Sequence, residues 1–148
     1  MSKIGKVVAI NISEKKGVIK TPIDEGTFRE NHGLVGDAHA GNWHRQVSLL
    51  GVESINKMKN MGIEGLCTGK FAENITTEGI TLYDLPVGTK IRIGETIQEV
   101  TQIGKKCHKG CEIAKEVGDC VMPREGIFTK ILQGGNIKKD DIIEIIEE

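Results

Sequence analysis

The chain has 148 residues, 20 basic and 21 acidic side chains, and a formal net charge of −1. That length suits one domain, residues 1–148, able to bury a core without disulfides or a structural metal. The balanced charge argues against a general nucleic-acid binder, and no run approaches the ~18 apolar residues of a membrane span, so neither nucleic acid nor a membrane is expected as a partner. Aromatic residues make up only 3%, so the core must be built from Ile, Val and Leu, which leans toward strands. The amino terminus enters a strand-like pattern directly and lacks the apolar stretch of a signal peptide, so a cytoplasmic location and four reduced cysteines are expected.

In chain order, "KVVAINIS" reads as a first strand. "GVIKTP" reads as a short second strand or hairpin arm stopped by Pro22. Residues 24–45 carry Gly26, Gly33, Gly36 and Gly41 with three histidines and show no helical period. They predict a strand followed by a long irregular loop, and loops of that kind in a small domain are commonly functional. "VSLL" is a short apolar run, after which Glu53 or Ser54 begins a helix with Ile55 and Met58 on one face, ending at Gly62. "KIRIG" and "TIQEVTQI" alternate with period two around a glycine-containing hairpin turn. "CEIAKEVG" predicts two helical turns, "GIFTKILQGG" an apolar piece, and "DDIIEIIEE" the last strand. The expected fold is mainly β with short α-helices, a closed or partly open β-barrel-like domain.

Residues 105–111, "KKCHKGC", concentrate chemistry. Zinc is one reading, with Cys107, His108, Cys111 and Cys120 as ligands, although C-x₃-C followed by eight residues matches no common structural zinc spacing. A thioredoxin-type dithiol would need C-x-x-C. Cysteines can also be plain buried hydrophobes, which suits Cys67 and, less well, Cys120. That reading suits Cys107 poorly, because Lys105, Lys106 and Lys109 beside it resist burial. The fourth reading takes the lysines as the point: cationic neighbours stabilise a thiolate and attract an anionic ligand. A second constellation, "GDAHAGNWHRQ", brings Asp37, His39, His44 and Arg45 into nine residues. It is either a ligand-contacting loop, a weakly signalled metal site, or a polar loop that holds its own backbone. In "GKFAENITTEGI", Asn74 and Thr76 could contact a ligand or cap a turn. The loop from Asp37 to Arg45 is expected to line one pocket with Cys107, since both carry polar groups that a β core would exclude.

Together, "GLVGDAHAG.WHRQVSLL", "F.ENITT.GI.L..L.VGT..RIG", "EVTQIGKKCH" and "GIF.K.L.GG.I" resemble, in order and over roughly residues 1–146, the MOSC domain, the family named for the C-terminal domain of molybdenum-cofactor sulfurases. The chain is similar to small stand-alone bacterial members without the pyridoxal-phosphate desulfurase domain, so no pyridoxal phosphate site is expected in it. The resemblance implies a molybdenum-cofactor binding or sulfur-carrying domain, with molybdenum-cofactor biosynthesis or sulfurtransferase proteins as partners. A molybdenum-dependent reductase of N-hydroxylated compounds and a zinc-stabilised adaptor are the alternatives. Cys107 matches the family's functional cysteine, the molybdenum ligand in the related amidoxime reductases. Phe71 and Asn74 match a cofactor-contacting stretch. Those reductases carry Arg where this chain has Ala72, so one phosphate contact is either missing or supplied from elsewhere, by Arg45 or Lys105. The implied cofactor site comprises Asp37, His39, His44, Arg45, Phe71, Asn74, Thr76, Lys105, Lys106 and His108 around Cys107. Cys111 and Cys120 would be auxiliary thiols.

Overall fold

The computed structural model describes residues 4–15, 20–60, 73–104 and 125–147. β1 (Ile4–Ile12) is the seam of the molecule. Its first residues pair antiparallel with β11 (Ile142–Glu147), its middle with β6 (Ile75–Glu78), and its end with β2 (Thr21–Ile23). From β11 the ladder runs through β7 (Lys90–Ile93), β8 (Thr96–Ile103), β9 (Ile127–Gln133) and β5 (Val47–Gly51) to β6, and the β1–β11 pairing closes it. The result is a closed seven-stranded barrel with β2 as an appended edge. A second small sheet orders β10 (Gly135–Lys138), β3 (Glu25–Arg29) and β4 (Gly33–Leu34).

Alternation decides which side chains face inward. Ile91 and Ile93 of β7 are fully buried while Arg92 between them is exposed, the period-two pattern of a half-buried strand. β5 breaks the alternation, being buried at all five positions. It pairs with β6 and β9, and α1 (Val52–Asn60) follows it directly. α1 is also the crossover that lets β5 and β6 run parallel. The core is aliphatic as composition required, with Phe28 and Phe128 its only buried aromatic members among the described residues.

The β7–β8 hairpin turns at Gly94-Glu95, and the positive φ of Gly94 (55°) is the conformation that turn needs. One expectation is corrected. Pro22 does not stop the second strand; it sits inside it, opposite Asn11. β2 is an edge strand, where a residue without an N–H forfeits no ladder bond. The helix starts at Val52, slightly ahead of the expected residues, with Ile55 buried as foreseen. Gly62 and the helix expected at "CEIAKEVG" lie outside the described residues. Among the described residues no helix is long and apolar enough to cross a membrane.

Candidate functional site

The loop after β4 is held at two places, and each hold recruits candidate residues. At the first, Asp37 meets the end of β1. Its Oδ1 accepts the Ser13 backbone N–H at 3.1 Å and the Lys20 ammonium at 2.7 Å, and its Oδ2 accepts the His39 backbone N–H at 3.1 Å. Lys20 and Asp37 side chains are both wholly buried. The same Lys20 Nζ reaches Ser13 Oγ and His39 Nδ1, each at 3.1 Å. Ala38 N–H donates to Ser13 O at 2.8 Å, which adds a backbone tie. Burial alone would raise the Asp37 carboxyl. The neighbouring His39, the Lys20 hydrogen bond and charge, and the Ser13 N–H overcome that and hold it well below the usual carboxylate range.

At the second hold, the loop reaches the outer end of β8. His44 Nε2 lies 2.9 Å from Gln102 Oε1, and the Thr101 hydroxyl donates to the His44 carbonyl. Trp43 Nε1–H donates to His39 O at 2.7 Å, joining the two holds. The Arg45 guanidinium carbon is 4.9 Å from the Trp43 ring centroid and 5.6 Å from that of Phe128. Arg45 Nε is buried and has no hydrogen-bond partner among the described residues. Among the described residues no carboxylate pairs with this guanidinium. Gln46 then locks the loop into the barrel, accepting Ile131 N–H at 2.9 Å and donating to Asn31 Oδ1 at 3.1 Å.

Asn74 and Thr76 occupy a third, deeper network. Both are wholly buried. Asn74 Oδ1 accepts from Ser48 N–H (3.0 Å) and Ser48 Oγ (3.2 Å), while its Nδ2 donates to Asn11 O (3.3 Å). Thr76 Oγ1 donates to Glu73 Oε2 (2.7 Å) and accepts from Asn11 Nδ2 (3.0 Å). Their side-chain polar atoms bond to neighbours inside the protein. Asn11 is two residues from Ser13, so the end of β1 links this network to the Asp37 cluster.

The structure thus unites Asp37 with His39, sets His44 and Arg45 each against Trp43, and buries Asn74 and Thr76. It does not gather Asp37, His39 and His44 into a metal-binding group; among the described residues no three His, Cys, Asp or Glu side chains come together that could hold an ion. Phe71, Lys105, Lys106, Cys107, His108, Cys111 and Cys120 lie outside the described residues. Sequence reasoning missed Lys20, Ser13, Asn11, Ser48, Glu73, Gln102 and Phe128. Lys20 did leave a signal: it is a cation in the apolar arm "GVIKTPI". Its partner is seventeen positions away.

The closed seven-stranded barrel defines the fold. The same fold occurs in YuaD from Bacillus subtilis, with a TM-score of 0.80 at 18% identity over 98% of this chain and 97% of that one. It occurs also in YiiM from Geobacillus stearothermophilus, at 0.74 and 20% over 97% and 75%, and in YiiM from Escherichia coli, at 0.68 and 17% over 97% and 70%. No curated protein matches the sequence well enough to count as a relative. The MOSC domain family model matches residues 36–144, and the chain belongs to that family, which is associated with molybdenum-cofactor chemistry.

Proposed function

We propose that this protein binds the molybdenum cofactor or carries sulfur to it during maturation, with Cys107 as the reactive group. The observation that carries the reading is the tie between His44 and Gln102. It fastens the polar loop to the end of β8, and the chain runs from there through Gly104 into Lys105, Lys106 and Cys107. The described residues fit a phosphorylated ligand. Arg45 is braced between two aromatic rings, with no acidic partner among the described residues and a buried Nε that lacks an acceptor. Such a guanidinium is preorganised for an oxyanion.

In this reading Arg45 holds the phosphate end of the ligand. Asp37 is neutralised by Lys20 and does not repel that phosphate. His39 and His44 border the loop, and Cys107, with Lys105 and Lys106 favouring its thiolate, supplies a soft sulfur ligand or the persulfide carrier. When bound, the cofactor supplies a molybdenum centre for a thiolate to coordinate. A sulfurtransferase or cofactor-synthesis protein is the partner this requires.

The test is retention of molybdenum by the protein after incubation with purified cofactor. Cys107→Ser should lose retention with an unchanged melting temperature, since oxygen replaces sulfur at nearly equal size but is a poor soft-metal ligand. A clearly destabilised variant that retained molybdenum like the parent would remove Cys107 from the site. A second readout needs no cofactor. Trp43 is the sole tryptophan and lies against Arg45. Its fluorescence should respond to a phosphate monoester, and Arg45→Gln should weaken that response about ten- to a hundredfold, the worth of a charged hydrogen bond. An identical titration in the variant would remove Arg45 from the phosphate role.

A further inference from the structure

Lys20 is wholly buried, yet it does more than neutralise Asp37. An ammonium is an obligate donor with no acceptor capacity. Its Nζ stands 3.1 Å from His39 Nδ1, so that ring nitrogen must accept. The carboxylate does not compete for it: Asp37 Oδ2 is 3.8 Å from Nδ1, beyond hydrogen-bond reach, and takes the His39 backbone N–H instead. A neutral imidazole that accepts at Nδ1 carries its proton on Nε2. Ser13 Oγ and Asp37 Oδ1 hold the ammonium from two other directions, so Lys20 cannot swing away from the ring. The His39 side chain is 26% exposed, and among the described residues its Nε2 has no hydrogen-bond partner.

We infer that Lys20 is a positioning residue that fixes the tautomer of His39, so that His39 presents a single Nε2–H donor at the mouth of the loop. It is a fixed donor, neither a base at Nδ1 nor a metal ligand through that atom. The ligand class this recognises is a hydrogen-bond acceptor, a carbonyl or a phosphate oxygen. Its role in cofactor retention rests on the proposed function above; the tautomer itself does not.

Two measurements separate the two claims. Nitrogen NMR of imidazole-labelled protein should show His39 as the Nε2–H form, with slowly exchanging Lys20 ammonium protons giving a nuclear Overhauser contact to the His39 Hε1 proton. In the charge-neutral double variant Lys20→Met with Asp37→Asn, a measurable share of Nδ1–H form should appear. An Nδ1–H form in the parent, or an unchanged tautomer in a folded double variant, overturns the inference; should the double variant not fold, the parent spectrum decides alone. For the ligand role, His39→Gln places an amide N–H near the Nε2 position and His39→Asn places one near Nδ1. The Gln variant should retain about tenfold more molybdenum than the Asn variant, the worth of one hydrogen bond. Equal retention in both overturns that role. A parent that shows the Nε2–H form yet retains no cofactor upholds the lock and fails the cofactor reading.

Discussion

Among the described residues, Asp37 and Lys20 make a wholly buried ion pair in which each is tolerable in the interior only through the other. Two wholly buried charges 2.7 Å apart owe their place to mutual compensation and to the hydrogen bonds around them. Removing one leaves an uncompensated buried charge, for which the general cost is about 3–5 kcal/mol. Lys20→Met should therefore destabilise the protein by that amount in chemical denaturation. Adding Asp37→Asn should recover part of the loss, and a double variant as unstable as the sum of the two singles would contradict the pairing. The pair also sets an acid limit. The Asp37 carboxyl is lowered in the folded protein, so the unfolded chain takes up its proton first as pH falls. Its contribution is complete above about pH 5 and drains away below about pH 4, the region of a free Asp. Denaturant midpoints should fall over that window in the parent and fall less steeply in the double variant.

Elements differ in how openly the sequence declares them. β7 and β8 were legible because each alternates apolar and polar residues, and their two-residue turn is short and holds a glycine. β5 was legible only as an apolar run, since a strand covered on both faces loses its period. The site was half legible. Asp37, His39, His44 and Arg45 lie close together in sequence, whereas Lys20, Gln102 and Phe128 join them only through barrel register. Gly33 shows how backbone and site meet. Its φ is +113°, and a Cβ there would lie 2.5 Å from the Gln46 carbonyl oxygen. No rotation relieves a clash with main chain, and the conformation itself disfavours a side chain. Gly33→Ala should cost about 1–3 kcal/mol in denaturant titration. It should also disturb Trp43 emission, because displacing Gln46 moves Arg45 off the ring. A variant with parental stability and emission would show that the β4–Gln46 contact is dispensable.

At the scale of the whole molecule, closure is the property no local pattern announces. Ile4–Lys6 find Ile142–Glu144 across nearly the full length of the chain, and β11 stands between β1 and β7 with a partner on each side. Ile143, fully buried, faces the core from that strand. Deleting residues 142–148 would therefore do more than remove one strand. It would leave β1 and β7 with unpaired backbone donors and acceptors where each now meets β11, and open the aliphatic core along the gap. The effect should reach the site at the other end of β1, because Asn11 and Ser13 anchor both the Asn74 network and the Asp37 cluster. A closed barrel has no independent half to fall back on, so its parts should melt together. In the parent, far-ultraviolet dichroism and Trp43 fluorescence should give coincident urea transitions. In the truncated chain both should lose their cooperative transition, with Trp43 emission near that of the unfolded protein in the absence of urea. A truncated chain that kept a sharp, parental Trp43 transition would mean that the loop clamp folds without closure, and that β1 carries the site through its own pairings with β6 and β2.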